Sequence, residues 1–224
     1  MKTAIRNNGL SLFFGLLFLL AVLGQGLSGH LLFNEEQVSD GLEQISLAQY
    51  LTSSSFAVDV SENWQSEYLQ FLLYIMATIW LVQKGSPESK ELDKTGPETD
   101  EEQLIGKHSN DKSPAWARIG GWRHLLFANS LGLTMGTIFI LSWLVQSFTG
   151  NTAYNEEQLA NFQDPLPWSE YIASAEFWNR TLQNWQSEFL AVGSMVVLAI
   201  YLRQRGSPES KPVGAAHDDT ASTG

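Results

Sequence analysis

The sequence contains no cysteine, so it has no disulfide frame, no thiolate zinc site and no cysteine nucleophile. Basic residues are scarce, with 13 lysines and arginines against 24 aspartates and glutamates. The net charge of −11 leaves no electrostatic footprint for phosphate, which excludes nucleic acid as a partner. The four histidines, His30, His108, His124 and His217, are scattered without the spacing of a metal site. Glycine-rich phosphate loops, nucleophile elbows and HExxH motifs are also missing. What is present is an apolar fraction of 44%, too high for a wholly disordered chain. A mean hydropathy of −0.10 would suit an acidic soluble domain, but an average hides where the charges sit.

Their positions decide the class. Residues Gly9–Gly29 and Leu125–Gly150 carry no charge at all. Each exceeds the roughly 20 residues a helix needs to cross a bilayer. Two shorter apolar runs, Tyr68–Gln83 and Phe189–Leu202, reach spanning length only by extending back through Glu67 to Trp64 and through Glu188 to Trp185. Core helices of a soluble protein are the alternative for these two. Of the 13 basic residues, 12 fall before the first run, between the second and third, or after the fourth, and only Arg180 falls elsewhere. The positive-inside rule then places both termini and the middle loop in the cytoplasm. Counted this way, the inner segments sum to +1 and the outer ones, with Glu67 and Glu188, to −12. The N-terminal run also has the look of a secretory signal peptide. Retention as a first span is the better reading, because the same element recurs inside the chain.

That recurrence has a fixed offset. Asn34-Glu35-Glu36-Gln37 returns as Asn155-Glu156-Glu157-Gln158, Asn63-Trp64-Gln65-Ser66-Glu67 as Asn184-Trp185-Gln186-Ser187-Glu188, and Gly85-Ser86-Pro87-Glu88-Ser89-Lys90 as Gly206-Ser207-Pro208-Glu209-Ser210-Lys211. Each pair lies 121 residues apart, as do Gly29/Gly150, Tyr50/Tyr171 and Phe56/Phe177. The chain reads as a tandem duplication of a hairpin, its two halves related by a pseudo-two-fold axis along the membrane normal.

The expected fold is therefore all-α, an integral membrane protein with four transmembrane helices in two tandem two-helix hairpins. Repeat 1 occupies residues 1–92, with spans at about 9–30 and 64–83 around an external segment, 31–63. A polar cytoplasmic linker covers 93–117. Repeat 2 occupies 118–213, with spans at about 125–150 and 185–203 around an external segment, 151–184. Residues 214–224 read as a disordered tail.

With these motifs the chain resembles a family of uncharacterised bacterial membrane proteins classed only as a domain of unknown function. The resemblance covers nearly all of the chain outside the linker and tail. It implies a four-helix inner-membrane protein and brings no activity, cofactor or catalytic residue with it.

The motifs suggest local roles. In Asn-Glu-Glu-Gln, the asparagine has the pattern of a helix N-cap with glutamates in the first turn, so Glu35, Glu36, Glu156 and Glu157 read as outer acidic caps. Cation binding by those glutamates is the functional alternative. Gly-Ser-Pro-Glu-Ser-Lys reads as a helix stop, with glycine as the left-handed cap. Small-residue pairs Ser11/Gly15 and Gly132/Gly136 mark a close-packing face on the first helix of each repeat. In Asn-Trp-Gln-Ser-Glu, Asn63 and Glu67 share a helix face, as do Asn184 and Glu188. The two glutamates fall about one turn inside the outer membrane edge, where an ionisable residue is costly unless it has a partner. The pseudo-two-fold can bring them together to share a proton or hold a cation. Asn63, Glu67, Asn184 and Glu188 are thus the candidate polar site, against a purely structural role in fixing helix entry. No metal site, cofactor or catalytic residue is expected.

The functional expectation is a non-enzymatic inner-membrane protein that binds a partner, lipid or cation through its acidic outer cap. The alternative is a small transporter or channel using Glu67 and Glu188 as an ion or proton relay. A membrane-embedded hydrolase lacks a nucleophile–base set. The lipid bilayer is the expected surrounding, and a membrane or periplasmic protein is the expected class of partner.

Overall fold

A computed structural model describes residues 2–222, with side chains from residue 5 onward. Every regular element among these residues is helical. In chain order they are α1 (Lys2–Asn7), α2 (Gly9–Ser39), α3 (Leu47–Leu51), α4 (Ser54–Trp80), α5 (Ala115–Arg118), α6 (Trp122–Ala128), α7 (Ser130–Ala160), α8 (Trp168–Tyr171) and α9 (Ala175–Tyr201), with one 3-10 turn at Gly106–His108. Among the described residues, α2 and α7 are long and apolar enough to cross a membrane, with mean hydropathies of 2.2 and 1.5 over their best windows. Helices α4 and α9 have 27 residues each but carry charges along their length, Asp59, Glu62 and Glu67 on one and Glu176, Arg180 and Glu188 on the other. The chain divides into two compact units, residues 1–61 with 144–177, and residues 62–143 with 178–224. The boundaries cut α4, α7 and α9, so the units do not coincide with the sequence repeats.

Helix ends differ from the sequence expectation in two places. The first concerns Asn-Glu-Glu-Gln. At about 1.5 Å per residue the 31-residue α2 is about 46 Å long, well beyond the about 30 Å of a hydrocarbon core. Leu31, Leu32 and Phe33 carry the helix straight through the motif, with no breaker before Gly41. Asn34 and Asn155 are therefore interior helical residues and not N-caps. Glu35, Glu36, Glu156 and Glu157 lie in the closing turns of α2 and α7. The second concerns Gly-Ser-Pro-Glu-Ser-Lys. Helices α4 and α9 stop at Trp80 and Tyr201, earlier than the expected ends near 83 and 203. The carbonyls that would bond Gln83 and Gln204 are occupied, Ile79 by the Gly96 N–H at 2.7 Å and Ile200 by Arg203 Nη1 at 3.0 Å. The freed Gln83 and Gln204 N–H groups go to Ser89 Oγ and Ser210 Oγ, both at 2.9 Å. Gly85 and Gly206 do adopt φ +83°, but inside this self-bonded turn and not as the helix cap.

Within the first unit the segments that follow α2 and α7 are fixed by equivalent bonds 121 residues apart. Asn34 accepts from the Ile45 N–H at 2.9 Å and donates to the Ile45 carbonyl at 3.0 Å, with His30 Nε2 at 2.7 Å from the same oxygen. Asn155 accepts from the Leu166 N–H at 2.8 Å and donates to its carbonyl at 2.9 Å, with Asn151 adding a donor at 3.0 Å. Each asparagine thus satisfies both backbone groups of one loop residue, which would otherwise need water or a ladder. Tyr50 packs against Phe33 and Phe56 at 5.6 and 5.5 Å, and Tyr171 against Tyr154 and Phe177, both at 5.7 Å. Burying each ring contributes roughly 1.5–3 kcal/mol. Gly29 and Gly150 make room for them, since a Cβ on Gly150 would meet Tyr171 Oη at 2.5 Å and one on Gly29 would meet Tyr50 Oη closer still.

The left-handed residue that closes α2 is Gly41, at φ +74°, with Leu42 N–H returning to the Gln37 carbonyl at 2.8 Å. After α7 the same position is Phe162, at φ +57°, with the matching Gln163–Gln158 bond at 2.8 Å. A phenylalanine there is strained, because its Cβ crowds the backbone. The small-residue face on α2 is open at Gly15, which has nothing within 4 Å.

In the second unit the corresponding face of α7 is used. A Cβ on Gly132 would lie 3.5 Å from Met76 Sδ, and one on Gly136 would lie 3.6 Å from Leu72. The expected disordered tail is folded over residues 214–222, while residues 223–224 lie outside the described residues. Lys211 is buried, and its ammonium faces the carbonyls of Gly85, Ala216, His217 and Asp219 at 2.7–3.2 Å. Thr220 Oγ1 accepts from the Gly85 N–H at 2.9 Å, and the Ala221 N–H donates to Ser86. A polar sequence without a hydrophobic pattern is held here by one desolvated cation collecting carbonyls. That burial lowers the Lys211 pKa. The linker is largely irregular and pinned by the Lys90–Glu98 ion pair.

Candidate functional site

The four candidate residues all lie within α4 and α9, in the second unit. Helical spacing places Asn63 and Ser66 within one turn, and Ser66 Oγ reaches the Asn63 carbonyl at 2.9 Å. The equivalent Ser187 Oγ reaches the Asn184 carbonyl at 2.8 Å. Asn184 also turns inward on its own helix, donating to the Arg180 carbonyl at 3.0 Å. The structure brings three groups together across the repeats. Ser66 on α4 lies beside the half-buried Glu188 of α9, and the exposed Glu67 contributes to the field at Glu188. Asn63 and Asn184 lie one turn before Glu67 and Glu188 on the same two helices.

Neighbouring residues of the same motif hold the cluster in place. Gln65 is fully buried and accepts from Trp185 Nε1 at 2.7 Å, while its Nε2 has no partner. Trp185 packs against Trp143 at 5.8 Å, and Trp143 against Trp178 at 6.1 Å. One turn earlier Arg180 pairs with Glu62 at 2.8 Å. Sequence reasoning singled out the glutamates and missed Ser66, Gln65 and Trp185, which sit in the same duplicated motif. Arg180 had a signal, as the single basic residue outside the positively charged segments. Two carboxylates in each other's field can share a proton or hold a monovalent cation. Among the described residues no group of three or more histidines, aspartates or glutamates is placed to hold a metal ion.

The second set of candidates lies at the ends of α2 and α7. Glu35, Glu36, Glu156 and Glu157 are exposed, and Glu156 accepts from Ser54 Oγ at 3.0 Å. Their position reverses the expected electrostatics. Carboxylates near a helix C-terminus oppose the macrodipole and destabilise the helix. They serve the fold poorly at this end. Burial, with smaller contributions from Asp59 and then Glu36, holds the Tyr50 phenol above its ordinary value.

These features define the class, an all-helical protein with two helices able to cross a membrane by length and composition. Residues 1–222 match a family model described as Domain of unknown function (DUF6766), and the chain belongs to that family. No curated protein and no solved structure matches the chain.

Proposed function

We propose that this is a four-span inner-membrane protein of two tandem hairpins, with both termini and the middle loop in the cytoplasm. In this reading α4 and α9 complete the spans begun by α2 and α7. The apolar side chains of α2 from Leu10 to Leu32 are nearly all exposed, 74% for Leu10 and 64% for Leu31, as a lipid-facing helix requires. The protein catalyses no reaction. Its outer cap binds a positively charged partner, a cation or a basic segment of a membrane or periplasmic protein. One observation carries this reading: the duplicated glutamate pairs lie exposed at the end of each helix where the macrodipole disfavours them, on segments clamped by Asn34 and Asn155. A rigid surface that gives up stability to display negative charge is a binding surface.

Titration of octalysine into the protein in neutral-lipid nanodiscs tests it. The Glu36→Gln/Glu157→Gln variant is expected to lose at least tenfold in affinity and to melt higher than wild type. Unchanged affinity would sink the binding reading, and a lower melting temperature would make these carboxylates structural.

The second reading, a small transporter or channel using Glu67 and Glu188 as a relay, is favoured by the field of Glu67 at Glu188 across the repeats. Proton or cation flux in proteoliposomes decides it. Absence of flux, or flux unaltered in Glu67→Gln/Glu188→Gln, removes it.

A further inference from the structure

A groove of about 240 Å³ in the second unit is lined by α4, α9 and the two Gly-Ser-Pro-Glu-Ser-Lys turns. Its wall-forming positions come in pairs 121 residues apart, Phe71 with Val192, Tyr74 with Met195, and Glu88 with Glu209. Both repeats thus build it from the same register positions, and neither half forms it alone. Phe71, Val192 and Met195 make an apolar wall. Two carboxylates, Glu88 and Glu209, also line it, with Tyr74 Oη donating to Glu88 Oε2 at 2.7 Å. Among the described residues no lysine, arginine or histidine lines the groove.

We infer that this groove binds an organic monoammonium ion with a small apolar body. The carboxylates accept from the ammonium, and the wall covers the body. The groove volume of about 240 Å³ suits a body of arylalkylamine size. A whole lipid is too large, and an aminophospholipid headgroup brings a phosphate that Glu88 and Glu209 repel. This site is separate from the acidic outer cap and does not depend on it.

Calorimetric titration of the full chain in neutral-lipid nanodiscs, with empty nanodiscs subtracted, tests the inference using phenethylammonium and its neutral isostere 2-phenylethanol. The ammonium is expected to bind saturably at one per chain, at least tenfold tighter than the alcohol. Glu88→Gln/Glu209→Gln should cost at least tenfold, and a glutamine at 88 still accepts from Tyr74, so the fold is retained. Val192→Trp fills the groove, leaves both carboxylates in place, and should abolish binding. Equal affinity for the alcohol would show a groove that takes any apolar matter, an acyl chain included, and would overturn the assignment. So would ammonium binding that survives Val192→Trp or the double glutamine change. Octalysine binding at the outer cap should be unaltered by all three substitutions, so failure of one reading leaves the other measurable.

Discussion

Asn155→Leu removes a side chain that satisfies two backbone groups at once. The bonds to the Leu166 N–H and carbonyl are 2.8 and 2.9 Å. Each contributes about 0.5–1.5 kcal/mol net. Leu166 is only half-buried, so water replaces part of what is lost, while Asn151 still holds the carbonyl. The expected cost is about 1–3 kcal/mol, confined to the segment between α7 and α8. That corresponds to roughly a 5- to 150-fold rise in local opening. Hydrogen-exchange mass spectrometry of the detergent-solubilised protein reads it directly, with faster exchange in peptides covering 161–171. Asn34→Leu should do the same for 40–50, because the two clamps are equivalent. Less than a twofold change in both segments would refute the clamp. A uniform loss of protection along the whole chain would show the asparagines holding the global fold instead.

Three further outcomes follow from individual contacts. Phe162→Gly should stabilise the protein by about 1 kcal/mol, measured as a rise in melting temperature, because glycine carries no left-handed penalty. Gly150→Ala places a methyl against Tyr171 Oη and should cost about 1–3 kcal/mol; adding Tyr171→Phe should recover most of it, and absence of rescue in the double variant would disprove the steric account. Lys211→Met removes the cation that gathers four carbonyls and should free the tail, seen as rapid proteolysis within 212–222 while the rest of the chain keeps its melting temperature.

The recurring motifs and the two uncharged runs were legible because they need only residue identity and spacing. The Asn-Glu-Glu-Gln motif was misread for a physical reason. Its pattern matches a capping box, yet nothing in residues 30–38 breaks the preceding helix, so the helix continues through it. The asparagine's true partners, Ile45 and Leu166, lie 11 residues on in the most divergent stretch of the repeats, and backbone groups leave no mark in sequence. The stop motif was placed in the right region but too late, because the helix ends where Gly96 and Arg203 compete for its last carbonyls. The tail looked solvated because its ordering rests on Lys211, a lone buried ammonium with no apolar pattern beside it. Of the site, the glutamates were legible as costly charges near a membrane edge, whereas Ser66 and Gln65 take their meaning only from the facing helix.

The cysteine-free chain allows the central claim to be tested with single cysteines at Ser39, Thr95 and Gln163, all exposed. A membrane-impermeant maleimide applied to intact cells should label positions 39 and 163 at once, and position 95 only after permeabilisation. Labelling of 39 and 95 from outside, with 163 protected, would mean that only α2 and α7 cross the membrane, and would contradict the four-span account and the acidic outer cap built on it.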